Sequence, residues 1–145
     1  IKSVFIYNFT RYIEWPAEYK KGNFVITVFG SNTGVLTELQ NMAKVKKVGE
    51  QGIEVRNTAS LDGLAKSNIL YIAPDVTISL GDVVSKLKGK STLLVTEKSG
   101  YAKQGAAINF VVMENKQKFE LNKTNAEKYS LKVSAALENL AIPVQ

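Results

Sequence analysis

Four short apolar runs constrain this chain more than any other feature: Phe24-Val25-Ile26-Thr27-Val28-Phe29, Ile69-Leu70-Tyr71-Ile72-Ala73, Thr92-Leu93-Leu94-Val95-Thr96, and 106–113. They are rich in β-branched and aromatic residues and show little alternation with polar ones. Runs of this kind read as strands buried on both faces. Helical periodicity separates the first three. Residues 33–44 carry an inward stripe of Val35, Leu36, Leu39, Met42 and Ala43, and Ser79 caps a helix whose Leu80, Val83, Val84 and Leu87 share one face. Strand and helix alternating through short joints predict a parallel sheet with right-handed crossovers.

The remaining segments fit around that sheet. The first residues form a helix with a stripe of Ile1, Val4, Phe5, Phe9, Tyr12 and Ile13, ended by Pro16 because a residue preceding proline is pushed out of the α region. Aromatic stripes at this spacing are ordinarily core. Val45 to Val48 reads as an edge segment, Ile53-Glu54-Val55 as a strand, and 60–65 as a short helix capped by Ser60. Ser99-Gly100 and Gln104-Gly105 bracket a flexible loop. Residues 106–113 and 118–122, joined by a turn at 114–117, form an antiparallel hairpin, and a last helix spans 125–141. The expected fold is an α/β three-layer sandwich with a mostly parallel central sheet of about five or six strands, a C-terminal antiparallel hairpin and helices on both faces. A length of 145 residues with no linker or repeat fits one domain over 1–145.

Composition removes several chemistries. The sequence has no Cys and no His, which excludes thiol nucleophiles, the Ser-His-Asp arrangement and Cys- or His-based zinc sites, so neither a metal nor a cofactor is expected. The net charge is +6, but Arg11 and Arg56 are the only arginines and the lysines are spread along the chain. Nucleic-acid readers lean on arginine forks, so no nucleic acid is expected as a partner, while attraction to an anionic partner or surface remains open. No Walker A sequence is present; Gly89-Lys90-Ser91 sits between a helix and a strand, the wrong order for a phosphate loop. Asn8-Phe9-Thr10 and Asn122-Lys123-Thr124 match a glycosylation pattern that is common by chance.

Carboxylates are then the only acid/base candidates, and no catalytic pair of them is recognisable, so no catalytic residue is assigned. Asp75 and Glu97 follow the ends of two strands, where open α/β sheets hold their ligands. With Ser31, Asn32, Ser99 and Tyr101 they make up a candidate ligand site. Gly30-Ser31-Asn32-Thr33-Gly34 could also accept an anion at a helix start, although such a segment is ordinarily a turn and cap.

The wording Phe5-Ile6-Tyr7-Asn8-Phe9-Thr10-Arg11-Tyr12-Ile13-Glu14-Trp15-Pro16 resembles the N-terminal pattern of the YfiR-like family of bacterial exported proteins. Three further pieces agree in order: Phe24 to Gly30, Gly105-Ala106-Ala107-Ile108-Asn109-Phe110, and Phe119-Glu120-Leu121-Asn122 with the closing residues 131–141. The resemblance covers the chain. It implies that Phe5, Tyr7, Phe9, Tyr12, Trp15, Pro16, Gly30, Gly105, Asn109, Phe119 and Asn122 are structural positions. It also implies periplasmic location in a Gram-negative bacterium after removal of a signal peptide, and no enzymatic activity. The chain opens at Ile1, which fits such processing. The family's namesake represses a membrane diguanylate cyclase through its periplasmic domain, limiting cyclic-di-GMP and biofilm formation. The disulfides of such members cannot form here for want of Cys. The implied partner is the periplasmic domain of a membrane signalling protein, docked at the hairpin edge or on the first helix, with a homodimer as a further possibility. The alternative is a periplasmic receptor for a small ligand, with its site at the carboxyl ends of the parallel strands. A carboxylate-dependent hydrolase is a distant third.

Overall fold

A computed structural model describes residues 1–31, 33–64 and 66–145. Among these residues the chain builds an eight-stranded sheet in the order β10-β8-β7-β6-β5-β2-β4-β3, with a separate two-stranded pair, β1-β9. The strands are β1 (Ile13–Glu14), β2 (Phe24–Phe29), β3 (Lys47–Val48), β4 (Gln51–Thr58), β5 (Ile69–Ile72), β6 (Leu93–Thr96), β7 (Ile108–Met113), β8 (Lys116–Leu121), β9 (Lys132–Val133) and β10 (Ile142–Pro143). The helices are α1 (Lys2–Tyr12), α2 (Thr33–Val45), α3 (Leu80–Lys86), α4 (Tyr101–Gln104), α5 (Lys123–Lys128) and α6 (Ala135–Leu140).

The apolar runs are the central strands. Every residue of β2, β5 and β6 is buried, and β4, β2, β5, β6 and β7 run parallel to one another. β7 and β8 make the expected hairpin. Its two-residue loop is Glu114-Asn115, both at positive φ (54° and 63°), as a tight hairpin turn demands, and the returning strand starts earlier than expected, at Lys116. From β2 the chain passes through α2 to β4 on one side. After β5 it moves the other way, through α3 to β6 and α4 to β7. Right-handed crossovers running in opposite directions put α2 and α3 on opposite faces. Contacts agree: α1 touches α2 and α6, and α3 touches α4.

Several expectations are corrected. The sheet has one piece that was not anticipated, the two-residue edge strand β10, while the expected edge segment at 45–48 is the two-residue strand β3. The stripe of α1 is rotated: Ile6 and Phe9 are buried, but Ile1 and Val4 are 75% and 61% exposed. α1 also stops at Tyr12, before Pro16 acts, because Ile13 and Glu14 go extended to pair antiparallel with Val133 and Lys132. The same pairing divides the helix expected over 125–141. Ser130 turns at φ 61°, Lys132–Val133 form β9, and the Ser134 side chain then caps α6 by accepting from the Leu137 amide. Residues 61–63 form a single 3-10 turn, and the Ser60 side chain caps nothing. The expected short helix ran on to Ala65, which lies outside the described residues. The 99–105 loop contains the helical turn α4.

Candidate functional site

The direction of strand order reverses between β2 and β5, and the crevice beyond their carboxyl ends is where such sheets hold ligands. Ser31 and Asp75 meet there. The Ser31 amide donates to Asp75 Oδ1 at 3.2 Å and its hydroxyl to Oδ2 at 2.5 Å. The Ser31 hydroxyl, helped by its amide, holds the Asp75 carboxyl below the usual aspartate range. The loop carrying Asp75 lies tight on the strand ends. A Cβ on Gly30 would stand 2.8 Å from Val76 Cγ2 and 2.9 Å from both Ala73 Cβ and Asp75 Oδ1, and Gly30 sits at φ 110°, so a side chain is excluded twice. Asn32 lies outside the described residues.

Glu97 and Tyr101 come together one strand further along. With Ile72, Ala73, Val76 and Leu80 they enclose about 10 Å³, room for no more than one water. Glu97 is largely buried and committed: its Oε2 accepts from Tyr71 Oη at 2.7 Å and pairs with Lys2 Nζ at 2.9 Å. On its outer side Glu97 shares with Ser99 a cleft of about 360 Å³, lined also by Lys2, Gly100, Phe110, Gln117 and Glu120. The five described candidates thus fall into a Ser31–Asp75 pair and a Glu97–Ser99–Tyr101 group. Among the described residues no group of three or more carboxylates could hold a metal ion.

The aromatic positions converge elsewhere. Phe5 and Phe9 of α1 pack on Phe110 and Phe119 of the hairpin, with ring centroids 5.1–6.1 Å apart. Beside them an apolar groove of about 340 Å³ runs between α1, β8 and α6, lined by Phe5, Phe9, Tyr12, Phe119, Leu137, Leu140 and Ile142. Leu140 on its rim is 63% exposed. Tyr7 turns the other way, its hydroxyl donating to the Lys47 carbonyl at 3.0 Å beneath the Arg11 guanidinium.

The polar and glycine positions serve as internal joints. Asn109 is fully buried, accepting from Thr96 Oγ1 at 2.8 Å and donating to Glu120 Oε1 at 3.0 Å. Asn122 caps α5 through the Asn125 amide and donates to the Ala102 carbonyl. Gly105 takes φ 142° with its missing Cβ 2.8 Å from Val84 Cγ2. Trp15, just before Pro16, is buried on Phe24. Sequence reasoning missed Asn68, whose side chain accepts from the Val25 amide and donates to the Tyr19 carbonyl. A lone Asn before a strand gives no signal for that role. It also missed the groove, part of whose lining comes from α6 and β10.

Comparison with known proteins fits this architecture. No curated protein matches. Two solved structures share the fold: an ABC domain in complex with L-Trp from Streptococcus pneumonia (TM-score 0.60, 12% identity, 85% of this chain and 55% of that one) and a conserved domain protein from Vibrio cholerae (TM-score 0.60, 14% identity, 86% and 55%). The chain therefore spans just over half the length of those proteins. A family model described as YfiR/HmsC-like matches residues 1–142, nearly every residue from α1 to β10, and the chain belongs to that family.

Proposed function

We propose that this chain is a non-enzymatic periplasmic regulator that docks on the periplasmic domain of a membrane signalling protein, such as a diguanylate cyclase, and restrains its output. Family membership supports the regulatory role. One structural observation supports the mode of action: the apolar groove between α1 and α6, beside the hairpin, unites the two docking places expected from sequence. A solvent-facing apolar groove rimmed by polar side chains is what a protein partner's anchor residue fills. No helix among the described residues is long and apolar enough to cross a membrane.

The test is capture from detergent-solubilised membranes of the source organism, with the chain immobilised through its C-terminus. The expected outcome is recovery of a membrane signalling protein by the native chain and its loss with Leu140→Asp. Equal recovery by both forms removes the groove from the mechanism, and recovery of no membrane protein removes docking.

A second reading, a small-ligand receptor, has one observation in its favour. The Lys2–Glu97 ion pair lies beside a cleft large enough for a metabolite, where Ser99 also opens. A metabolite that raises the melting temperature of the native chain, but not of Lys2→Met, would favour it.

A further inference from the structure

Away from both sites, a cleft of about 340 Å³ opens where α3, α4 and α5 end, and its rim carries Lys88, Lys103 and Lys128 from three separate segments. No carboxylate lines it. Lysines near helix ends ordinarily neutralise the last carbonyls, and that role is already filled here. Asn125 Nδ2 donates to the Ala102 and Ala106 carbonyls of the α4 segment. The backbone amides of Leu87, Lys88, Tyr129, Ser130 and Leu131 take up carbonyls at the ends of α3 and α5. Lys98 shows what a committed ammonium looks like, donating to the Val76 carbonyl at 2.9 Å. Among the described residues Lys88, Lys103 and Lys128 make no such hydrogen bond and no ion pair.

A second observation is independent of charge. Tyr129 lines the same cleft and is only 8% exposed, yet its hydroxyl has no hydrogen-bond partner among the described residues. No described side-chain polar atom is both enclosed and unpaired, so this hydroxyl keeps access to solvent on a residue that lines the cleft. Burial raises the Tyr129 pKa, so the group remains a donor throughout the physiological range. Val84 and the Tyr129 ring give the cleft an apolar wall.

We infer that this cleft binds a phosphate monoester, with Lys88, Lys103 and Lys128 on the phosphate, the Tyr129 hydroxyl as a fixed donor, and the organic part against Val84 and the Tyr129 ring. Ammonium groups act as point charges that match a dianion from several directions, where a lone carboxylate would satisfy only one or two. The cleft volume lies in the range of small-molecule sites. The same headgroup chemistry is offered by a soluble phosphate ester and by phosphatidic acid in a membrane. The inference does not depend on the docking reading, since the cleft and the apolar groove share no residue.

Two probes test it at low ionic strength: phenyl phosphate followed by amide chemical shifts of the labelled chain, and phosphatidylcholine vesicles with or without phosphatidic acid followed by co-sedimentation. The expected result is saturable shifts centred on Gly89, Gln104, Gly105 and Tyr129. The Lys88→Gln/Lys103→Gln/Lys128→Gln variant should weaken binding at least about tenfold, as loss of charged hydrogen bonds does. Tyr129→Phe should weaken it about threefold with an unchanged melting temperature, because the hydroxyl has no internal partner to lose. Binding confined to phosphatidic acid vesicles, and lost in the triple variant, upholds the site and assigns its phosphate to the lipid. Shifts centred elsewhere, equal affinity in the triple variant, or no binding of either probe at millimolar concentration overturns it.

Discussion

Trp15 Nε1 donates to the main-chain carbonyl of Asn68 at 2.9 Å, with the indole standing edge-on to Phe24 at 5.0 Å between centroids. One residue thus ties the segment after α1 to the loop entering β5 and to the first central strand. Asn68 in turn accepts from the Val25 amide and donates to the Tyr19 carbonyl, so its side chain and its backbone bind different segments. Trp15→Ala should cost about 3–5 kcal/mol in urea unfolding, as for other buried aromatics. Trp15→Phe should cost only about 1 kcal/mol, because the Asn68 carbonyl still accepts from the Leu93 amide and is not orphaned. A near-native Trp15→Ala would show that the indole is not a core anchor.

Asn122 offers a narrower measurement. Its Oδ1 caps α5 through the Asn125 amide, and its Nδ2 donates to the Ala102 carbonyl, which Asn125 Nδ2 also serves. Asn122→Ala should therefore lose mainly the cap, about 1–2 kcal/mol by denaturant midpoint. Asn122→Asp keeps the cap acceptor but sets a second acceptor against the Ala102 carbonyl, so it should recover only part of that loss.

Gly105 combines a backbone demand with a steric one. At φ 142°, with Val84 Cγ2 2.8 Å from the place of a Cβ, Gly105→Ala should destabilise by about 2–4 kcal/mol. Adding Val84→Ala should relieve the steric part and leave the conformational part. A strictly additive double mutant would show that the two positions do not press on each other.

The Ser31–Asp75 pair makes a prediction in pH. Ser31 holds the Asp75 carboxyl below its ordinary value. A group with a depressed folded pKa contributes stability above its unfolded pKa, about 3.9 for aspartate, and loses it as pH falls through the lower folded value. In a carboxyl-carbon titration Asp75 should therefore titrate lower than a free aspartate, and Ser31→Ala should move its midpoint upward. An unmoved midpoint would place the cause of the depression elsewhere.

The groove separates stability from binding. Leu140→Asp replaces an exposed side chain and should alter folding by no more than about 0.5 kcal/mol, while abolishing membrane-partner capture. Thermal unfolding and capture measured on the same preparation decide it. A large fall in melting temperature would mean that Leu140 is a packing residue.

The strands were legible because burial on both faces leaves little room for a polar residue, and β2, β5 and β6 carry almost none. The hairpin was legible from its turn. The C-terminal helix was misread because Ala126, Tyr129, Val133, Ala136, Leu137 and Leu140 keep a helical period straight through a break. Nothing near Ser130 breaks a helix by propensity. The break comes from Ile13 and Glu14, whose backbone takes Lys132 and Val133 as strand partners, and such a distant pairing leaves no local trace. Ser134 as a helix cap was the one available hint. Ser31, Asp75 and Glu97 follow the carboxyl ends of β2, β5 and β6, as the rule for open sheets expects. How tightly the Asp75 loop would sit on Gly30 was not readable, because it depends on loop packing.

The β1-β9 pair also sets an order of events. Besides the strand pairing, the Ser134 amide donates to the Tyr12 carbonyl, and the Val144 amide donates to Leu121 beside β10. Contacts this distant in sequence close late, after loop entropy has been overcome. The cover of α1 is therefore completed only after residues 132–134 have joined the fold. Until they do, its aromatic rings lack part of their cover, and a chain halted at that stage presents a sticky surface that the folded domain narrows to a groove.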